Sequence, residues 1–358
     1  AFNTAVGYFA GSAVSTGVGN TLIGAEAGDA TTTGANNTAL GYLAATTNTT
    51  GHSLVAIGKS ALAANTDGHS NVAVGYLSLA SNTTADFNTA VGHKTLLLNT
   101  TGANNTAVGF SAGAALTTGG ENTFIGDTAG DATTTATGNT AVGFSSLTTN
   151  VLGSRSVAIG RAALQVQNPA SAVNMYNVAV GFGAGESVTV GTQNTLIGGL
   201  CGDAMTTAGN ATFVGYQAGT SITTGINNTA YGVFSLAGET TGRFSVALGA
   251  GALEVQNNSG GVNVYNTAVG YTAGALVTTG VQNTIVGGLA GNAVTTGSYN
   301  VIMGTNGGGG VTTGSQNVLI GQGTGMAALT GNQNTVVGDS SGAALTTGTG
   351  NSGLGADS

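Results

Sequence analysis

The sequence predicts an all-β fold, a parallel β-solenoid or β-roll built from 17-residue repeats. Three observations predict it: a pentapeptide that returns at a fixed interval, a glycine inside it that never varies, and a composition hostile to helix. The pentapeptide is Asn-Thr-Ala-Val-Gly or a close variant. Its first residue falls at 3, 20, 37, 54, 71, 88, 105, 122, 139, 156, 177, 194, 211, 228, 245, 266, 283, 300, 317, 334 and 351, which makes 21 copies. Every interval is 17 residues except two of 21, where loops near 164–174 and 253–263 are enlarged without loss of register. The chain 1–358 therefore reads as a single continuous repeat array. The pattern is already running at Ala1 and the last copy is short, so a fragment of a longer fibre protein is expected.

Taken in order, the first position is Asn in 17 of 21 copies, beginning with Asn3, Asn20 and Asn37. Stacked one per rung, these amides are expected to bond from rung to rung and fix the register. The third position is mostly Ala, replaced in places by Leu22, Phe124, Phe213 or Ile285, and the fourth is a large side chain, as in Val6, Ile23 and Leu40. Neighbouring residues of a strand point to opposite faces, so both faces are apolar and the second needs a cover, for which another copy of the chain is the preferred candidate. The fifth position is Gly in every copy, including Gly7, Gly24, Gly41, Gly58, Gly75, Gly92 and Gly109, which demands positive φ or very close backbone approach. Thr-Thr-Gly tails such as Thr117-Thr118-Gly119 supply turn chemistry. Each repeat thus reads as strand, Gly turn, short second segment and Thr-Thr-Gly turn. At one rung of ~4.8 Å per repeat, the array is about 100 Å long.

A second period overlies the first. The residue after the invariant Gly is aromatic in alternate copies, at Tyr8, Tyr42, Tyr76, Phe110, Phe144, Phe182 and Tyr216. Duplication of a two-repeat ancestor explains this, and so does a 34-residue coil; the sequence leaves both open.

Composition narrows the chemistry. Only 5% of residues are charged and the net charge is −8, so no row of phosphates could be neutralised and a nucleic-acid partner is excluded. At 41% hydrophobic the chain is too apolar for disorder, yet no stretch approaches the ~20 apolar residues of a membrane span. The lone Cys201 sits where other repeats carry Ala and is expected to act as a small buried side chain. His52, His69 and His93 lack metal-ligand spacing; His52 and His69 would share a column as a surface pair. Asp29, Asp131 and Asp203 recur within Gly-Asp-Ala, and a carboxylate capping its own turn is preferred there over Ca²⁺ binding. Gly58-Lys59-Ser60 lacks the upstream spacing of a phosphate loop. The sequons Asn48-Thr49-Thr50 and Asn99-Thr100-Thr101 follow from the repeat consensus. No catalytic constellation, cofactor site or metal site emerges, and no enzyme activity is expected.

The segment Ser53-Leu54-Val55-Ala56-Ile57-Gly58-Lys59-Ser60-Ala61-Leu62-Ala63 resembles the head repeats of trimeric autotransporter adhesins of the YadA type, as do Ser156–Gly160 and Ser245–Gly249. The Asn-Thr-Ala-Val-Gly form is similar to repeats in bacteriophage tail fibres. The adhesin resemblance implies a left-handed parallel β-roll and a homotrimer with apolar strand faces at the threefold axis, although the 17-residue period departs from the usual fourteen. It offers no binding residues to carry over. Together these readings lead to a structural component of an extracellular, cell-surface or virion fibre, self-associating and possessing affinity for a surface glycan or host receptor. The alternative is an ice-binding solenoid, suggested by the Thr at the second position of many repeats, as in Thr4, Thr21 and Thr38.

Overall fold

The computed structural model describes residues 2–358, in two compact units, Ala1–Tyr176 and Asn177–Ser358. Each unit is a parallel β-solenoid, and neither contains a helix among the described residues. In the first unit the ladder runs through Thr4–Val6, Thr21–Ile23, Thr38–Leu40, Val55–Ile57, Val72–Val74, Thr89–Val91, Thr106–Val108, Thr123–Ile125, Thr140–Val142 and Val157–Ile159. The second unit begins with Val178–Val180, Thr195–Ile197 and Thr212–Val214 and continues in the same way to Ser352–Leu354. Thr4 lies opposite Thr21, and Thr21 opposite Thr38. One turn of coil is therefore 17 residues, which removes the 34-residue alternative.

The short second segment of each turn is a run of tight turns and not a strand, and the reason is visible in the turn that starts at Val72. After the strand, Gly75 has φ +138°, Leu77 +55° and Leu79 +49°. Alternating left-handed residues fold the chain into tight turns, with the Ser78 amide donating to the Gly75 carbonyl at 3.4 Å and the Asn82 amide to the Leu79 carbonyl at 3.2 Å. Rung-to-rung bonding nevertheless continues around the coil. The amides of Gly75 and Leu77 donate back to Ile57 and Lys59, while those of Leu79, Ser81 and Thr83 donate forward to Thr95, Leu97 and Thr100. Backbone groups are satisfied between turns as in a sheet, although the dihedrals are those of turns.

The core lies inside each coil and is filled from several columns, two of which trade volume with each other. The strand-centre residue points inward and is buried, as are Ala56, Phe124, Phe213 and Ile302. The second column is the fourth residue after the invariant Gly. Where the strand centre is Ala56, Ala73, Ala90, Ala141, Ala158, Ala230 or Ala247, this residue is Leu62, Leu79, Leu96, Leu147, Leu164, Leu236 or Leu253, each fully buried. Where the strand centre is large, as at Leu22, Phe124, Leu196, Phe213, Ile285, Ile302 or Leu319, it is Gly. A Cβ added to Gly130 would lie 2.5 Å from Phe124, and one added to Gly28 would lie 2.8 Å from Leu22. In these turns the same interior volume is filled either from the strand or from the turn; where both residues are small, as at Ala107 with Gly113, Ala179 with Gly185 and Ala268 with Gly274, buried Leu116, Val188 and Val277 stand seven residues after the invariant Gly. A leucine in the left-handed region costs roughly 1–2 kcal/mol, which burial of its side chain, worth about 1.5–3 kcal/mol, offsets.

The enlarged loops keep register by pairing locally. In the first unit Gly153–Ser154 pairs in parallel with Val173–Asn174, and the Arg155 guanidinium donates to the Tyr176 hydroxyl at 2.8 Å. In the second unit Arg243 bridges to Asn263, and the Phe244 and Tyr265 rings stack at 5.2 Å. Phe244 occupies the place in its repeat that Arg155 occupies in the other, so the same site is closed once by a cation on a ring and once by two rings.

Candidate functional site

The surface that each unit repeats at every turn is the outward face of its strands. The second and fourth strand positions flank the inward third position, and both are half-exposed in nearly every turn. Val6 is 58% exposed, Leu40 44%, Ile125 39% and Ile197 40%, so the fourth position makes an apolar column that no part of its own unit covers. The inward side belongs to the core, while the outward side is left for a cover from outside the unit. This explains why Tyr231 and Met303 are tolerated there, since both project outward at 57% and 40% exposure.

Behind this face lie two ladders of buried amides. In the first, Asn20 Nδ2 donates to the Gly34 carbonyl at 2.9 Å while its Oδ1 accepts the Asn37 backbone amide at 3.0 Å. The ladder is therefore mainly side chain to backbone, with amide-to-amide contacts such as Asn122 Nδ2 to Asn105 Oδ1 at 3.1 Å added to it. Because the acceptor needs only a backbone N–H, Leu54 and Ala211 can stand in the column and still donate to Asn37 and Asn194, each at 3.0 Å.

The second ladder escaped the sequence reading. It is formed by Asn48, Asn65, Asn82 and Asn99, seven residues after the invariant Gly, with Nδ2-to-Oδ1 bonds of 2.9, 2.8 and 3.1 Å in succession. All four are fully buried. The ladder stops at Leu116, which leaves Asn99 Oδ1 without a partner. The signal for it lay in the sequons, whose Asn48 and Asn99 are shut away from any glycosylating enzyme in the folded chain. Where the first column carries Ser, the second carries Gln: Gln256 Nε2 donates to Ser245 Oγ at 2.9 Å, and Gln167 meets Ser156 at 3.2 Å. Glu239 stands in the same column, fully buried, with Oε1 accepting the backbone amides of Thr240, Thr241 and Gly242. The Thr tails form a third column, in which Thr49 Oγ1 donates to the Thr66 carbonyl at 2.9 Å and Thr117 Oγ1 to the Thr134 carbonyl at 3.1 Å.

The residues considered for chemistry are dispersed. His52 and His69 stack with ring centroids 3.9 Å apart on the exposed surface, and no third ligand joins them. Among the described residues no group of three or more His, Cys, Asp or Glu could hold a metal ion, and no helix is long and apolar enough to cross a membrane.

The Asp29 and Asp203 carboxylates reach across rungs: each accepts a hydroxyl from the next rung, Thr46 at 2.7 Å and Thr220 at 2.5 Å. At Asp131 the corresponding Thr148 donates elsewhere, to the Thr128 carbonyl, and Oδ1 is left without a partner. Burial raises the Asp131 carboxyl above its ordinary value, against the opposing pull of nearby backbone amides. The native state therefore holds that proton more tightly than the unfolded chain, so stability falls as pH rises through the native value. Asp131→Asn is expected to unfold at higher urea than the parent at pH 7, with the gain lost at pH 3. Solvent screening at this half-buried group keeps the gain below about 1 kcal/mol.

Cys201 is buried, and its thiol donates to the Phe213 carbonyl at 3.3 Å, the bond that Ser78 makes to Ala90 at 2.9 Å in an earlier repeat. Burial pushes the thiol up to about 12. Iodoacetamide at pH 8 is expected to leave the native chain unlabelled and to label it fully in denaturant. Rapid native labelling would show that the rung opens readily.

No protein-family model matches the chain, and no curated protein matches its sequence.

Proposed function

We propose that the chain is a non-catalytic structural segment of an extracellular, cell-surface or virion fibre, such as the shaft or head of an adhesin or phage tail fibre. It self-associates, with a homotrimer as the expected assembly, and adhesion to a surface glycan or host receptor is a further property of the assembled fibre. The observation that carries this reading is the outward apolar column, which recurs once per turn in both units and is left half-exposed by its own unit. Contiguous apolar surface of this kind marks interaction sites. The ladders behind it supply stiffness, because every turn is tied to the next through backbone amides, Asn side chains and Thr hydroxyls.

The outward Thr column favours the second reading, ice binding. Thr occupies the second strand position in many turns, as at Thr89, Thr106 and Thr123, beside the apolar column. The fourth position is not Thr, so the paired Thr columns expected of a flat ice-binding face are missing.

Light scattering on the full chain separates the readings. A particle near three times 34.2 kDa supports the fibre proposal. A stable monomer with thermal hysteresis in dilute solution would replace it with the ice-binding one.

A further inference from the structure

The column that follows the invariant Gly alternates rings with other side chains, and its basic members lie against those rings. Lys59 Nζ lies 5.8 Å from the ring centroids of both Tyr42 and Tyr76. His93 lies between Tyr76 and Phe110, with ring centroids 5.3 and 5.1 Å away, and the Arg161 guanidinium is 5.7 Å from the Phe144 centroid. Outside this column, Arg155 is held 5.8 Å from the Tyr176 ring. Three of the chain's five Lys and Arg side chains thus rest on aromatic faces. Rings two rungs apart are separated by about 9.6 Å, twice the ~4.8 Å rung spacing, which is the gap that the Lys59 ammonium enters.

In two places the residue between successive rings of the column is Ala or Gly. Ala25 separates Tyr8 from Tyr42 in the first unit, and Gly199 separates Phe182 from Tyr216 in the second. Tyr42 has Lys59 over its ring from the following rung, so its other face looks toward the rung of Ala25. A Cβ added to Gly199 would lie 3.5 Å from Tyr216 Cδ2, so that ring leans over the bare backbone, with the Phe234 ring edge-on at 5.8 Å, and a ligand entering there displaces it outward. Tyr8, Tyr42, Phe182 and Tyr216 are all between 47% and 69% exposed, so a ligand can reach them.

We infer that the slots at Ala25 and Gly199 bind an alkylammonium group supplied from outside the chain, in the position that Lys59 fills for itself between Tyr42 and Tyr76. Ring quadrupoles attract the cation, and the net charge of −8 raises its local concentration. The inference does not depend on whether the array self-associates.

The test uses the full chain labelled with ¹³C-tyrosine and titrated with tetramethylammonium, with the neutral neopentyl alcohol as an apolar control. Ring signals of Tyr8, Tyr42 and Tyr216 are expected to shift with a dissociation constant of about 1–50 mM, and the neutral compound should bind at least ~5-fold more weakly. Methylammonium, standing for a lysine ammonium, is titrated in parallel. Whichever cation binds more tightly identifies a quaternary headgroup or a lysine side chain as the source. Ala25→Lys/Gly199→Lys, which copies the Lys59 arrangement into both slots, is expected to weaken binding more than ~10-fold. Tyr42→Leu, which keeps an apolar side chain but no ring, should abolish the response at Tyr8. Equal binding of the neutral compound, or shifts unchanged in these variants, would overturn the inference.

Discussion

Gly287→Ala is expected to unfold its region of the second unit at far lower urea than the parent, while Gly288→Ala, one residue along, leaves the midpoint nearly unchanged. Gly287 belongs to the invariant column and has φ +137°, a conformation that side chains essentially exclude. A Cβ there would also sit 2.5 Å from the Gly304 carbonyl oxygen and 2.7 Å from its carbon. Those atoms are backbone of the next rung in the same column, so relief requires separating two turns and breaking the hydrogen bonds between them. Strain of about 1–3 kcal/mol adds to the loss of those bonds, for a total of roughly 3 kcal/mol or more. Gly288 has nothing within 4 Å of its added Cβ. Urea midpoints together with amide exchange of Val286 and Val301 test the pair. If both variants match the parent, the column is invariant for a reason other than backbone approach.

In a repeat architecture each turn contacts mainly its neighbours, so the damage in Gly287→Ala should be local. Fast exchange confined to the turns around 284–304 is the expected pattern.

Much of this architecture was legible before any coordinates. The spacing of Gly7, Gly24 and Gly41 gives the 17-residue turn, and the Asn3, Asn20, Asn37 column gives the amide ladder. What stayed hidden depends on the path between those landmarks. Leu62 and Leu79 adopt left-handed dihedrals that leucine avoids in isolation, so propensity cannot announce a turn in which interior packing overrides the local backbone cost. For the same reason the short second segment gave no sign that it is a run of successive tight turns. The second amide ladder at Asn48, Asn65, Asn82 and Asn99 occupies only some turns and alternates with apolar residues such as Val14 and Leu116, which obscures its period. What covers the outer strand face was unreadable because Val and Ile at a strand position look alike whether a partner covers them or water does.

The exchange between strand-centre and turn residues makes a quantitative prediction about the core. Phe124→Ala removes the largest type of side chain found in the interior and should cost about 3–5 kcal/mol, because the turns above and below are held apart by their ladders and cannot collapse into the void. Gly130→Leu alone should also destabilise, by about 1–3 kcal/mol or more, since its Cβ would already lie 2.5–2.9 Å from the Phe124 ring. The double variant Phe124→Ala/Gly130→Leu recreates the arrangement of the next turn, where Ala141 stands at the strand centre and Leu147 fills the space from the turn. The two losses should therefore cancel in large part, with a coupling energy of at least about 2 kcal/mol between substitutions that are each harmful. Recovery should be incomplete, because the Phe124 ring also lies over Gly113, where an added Cβ would meet it at 2.7 Å, and Leu at 130 does not reach that far. Urea denaturation of the parent, the two single variants and the double variant measures the cycle. Simple additivity would mean that the reciprocal pattern of Ala with Leu and of large residues with Gly records ancestry of the repeats, and not a shared volume that either column can fill.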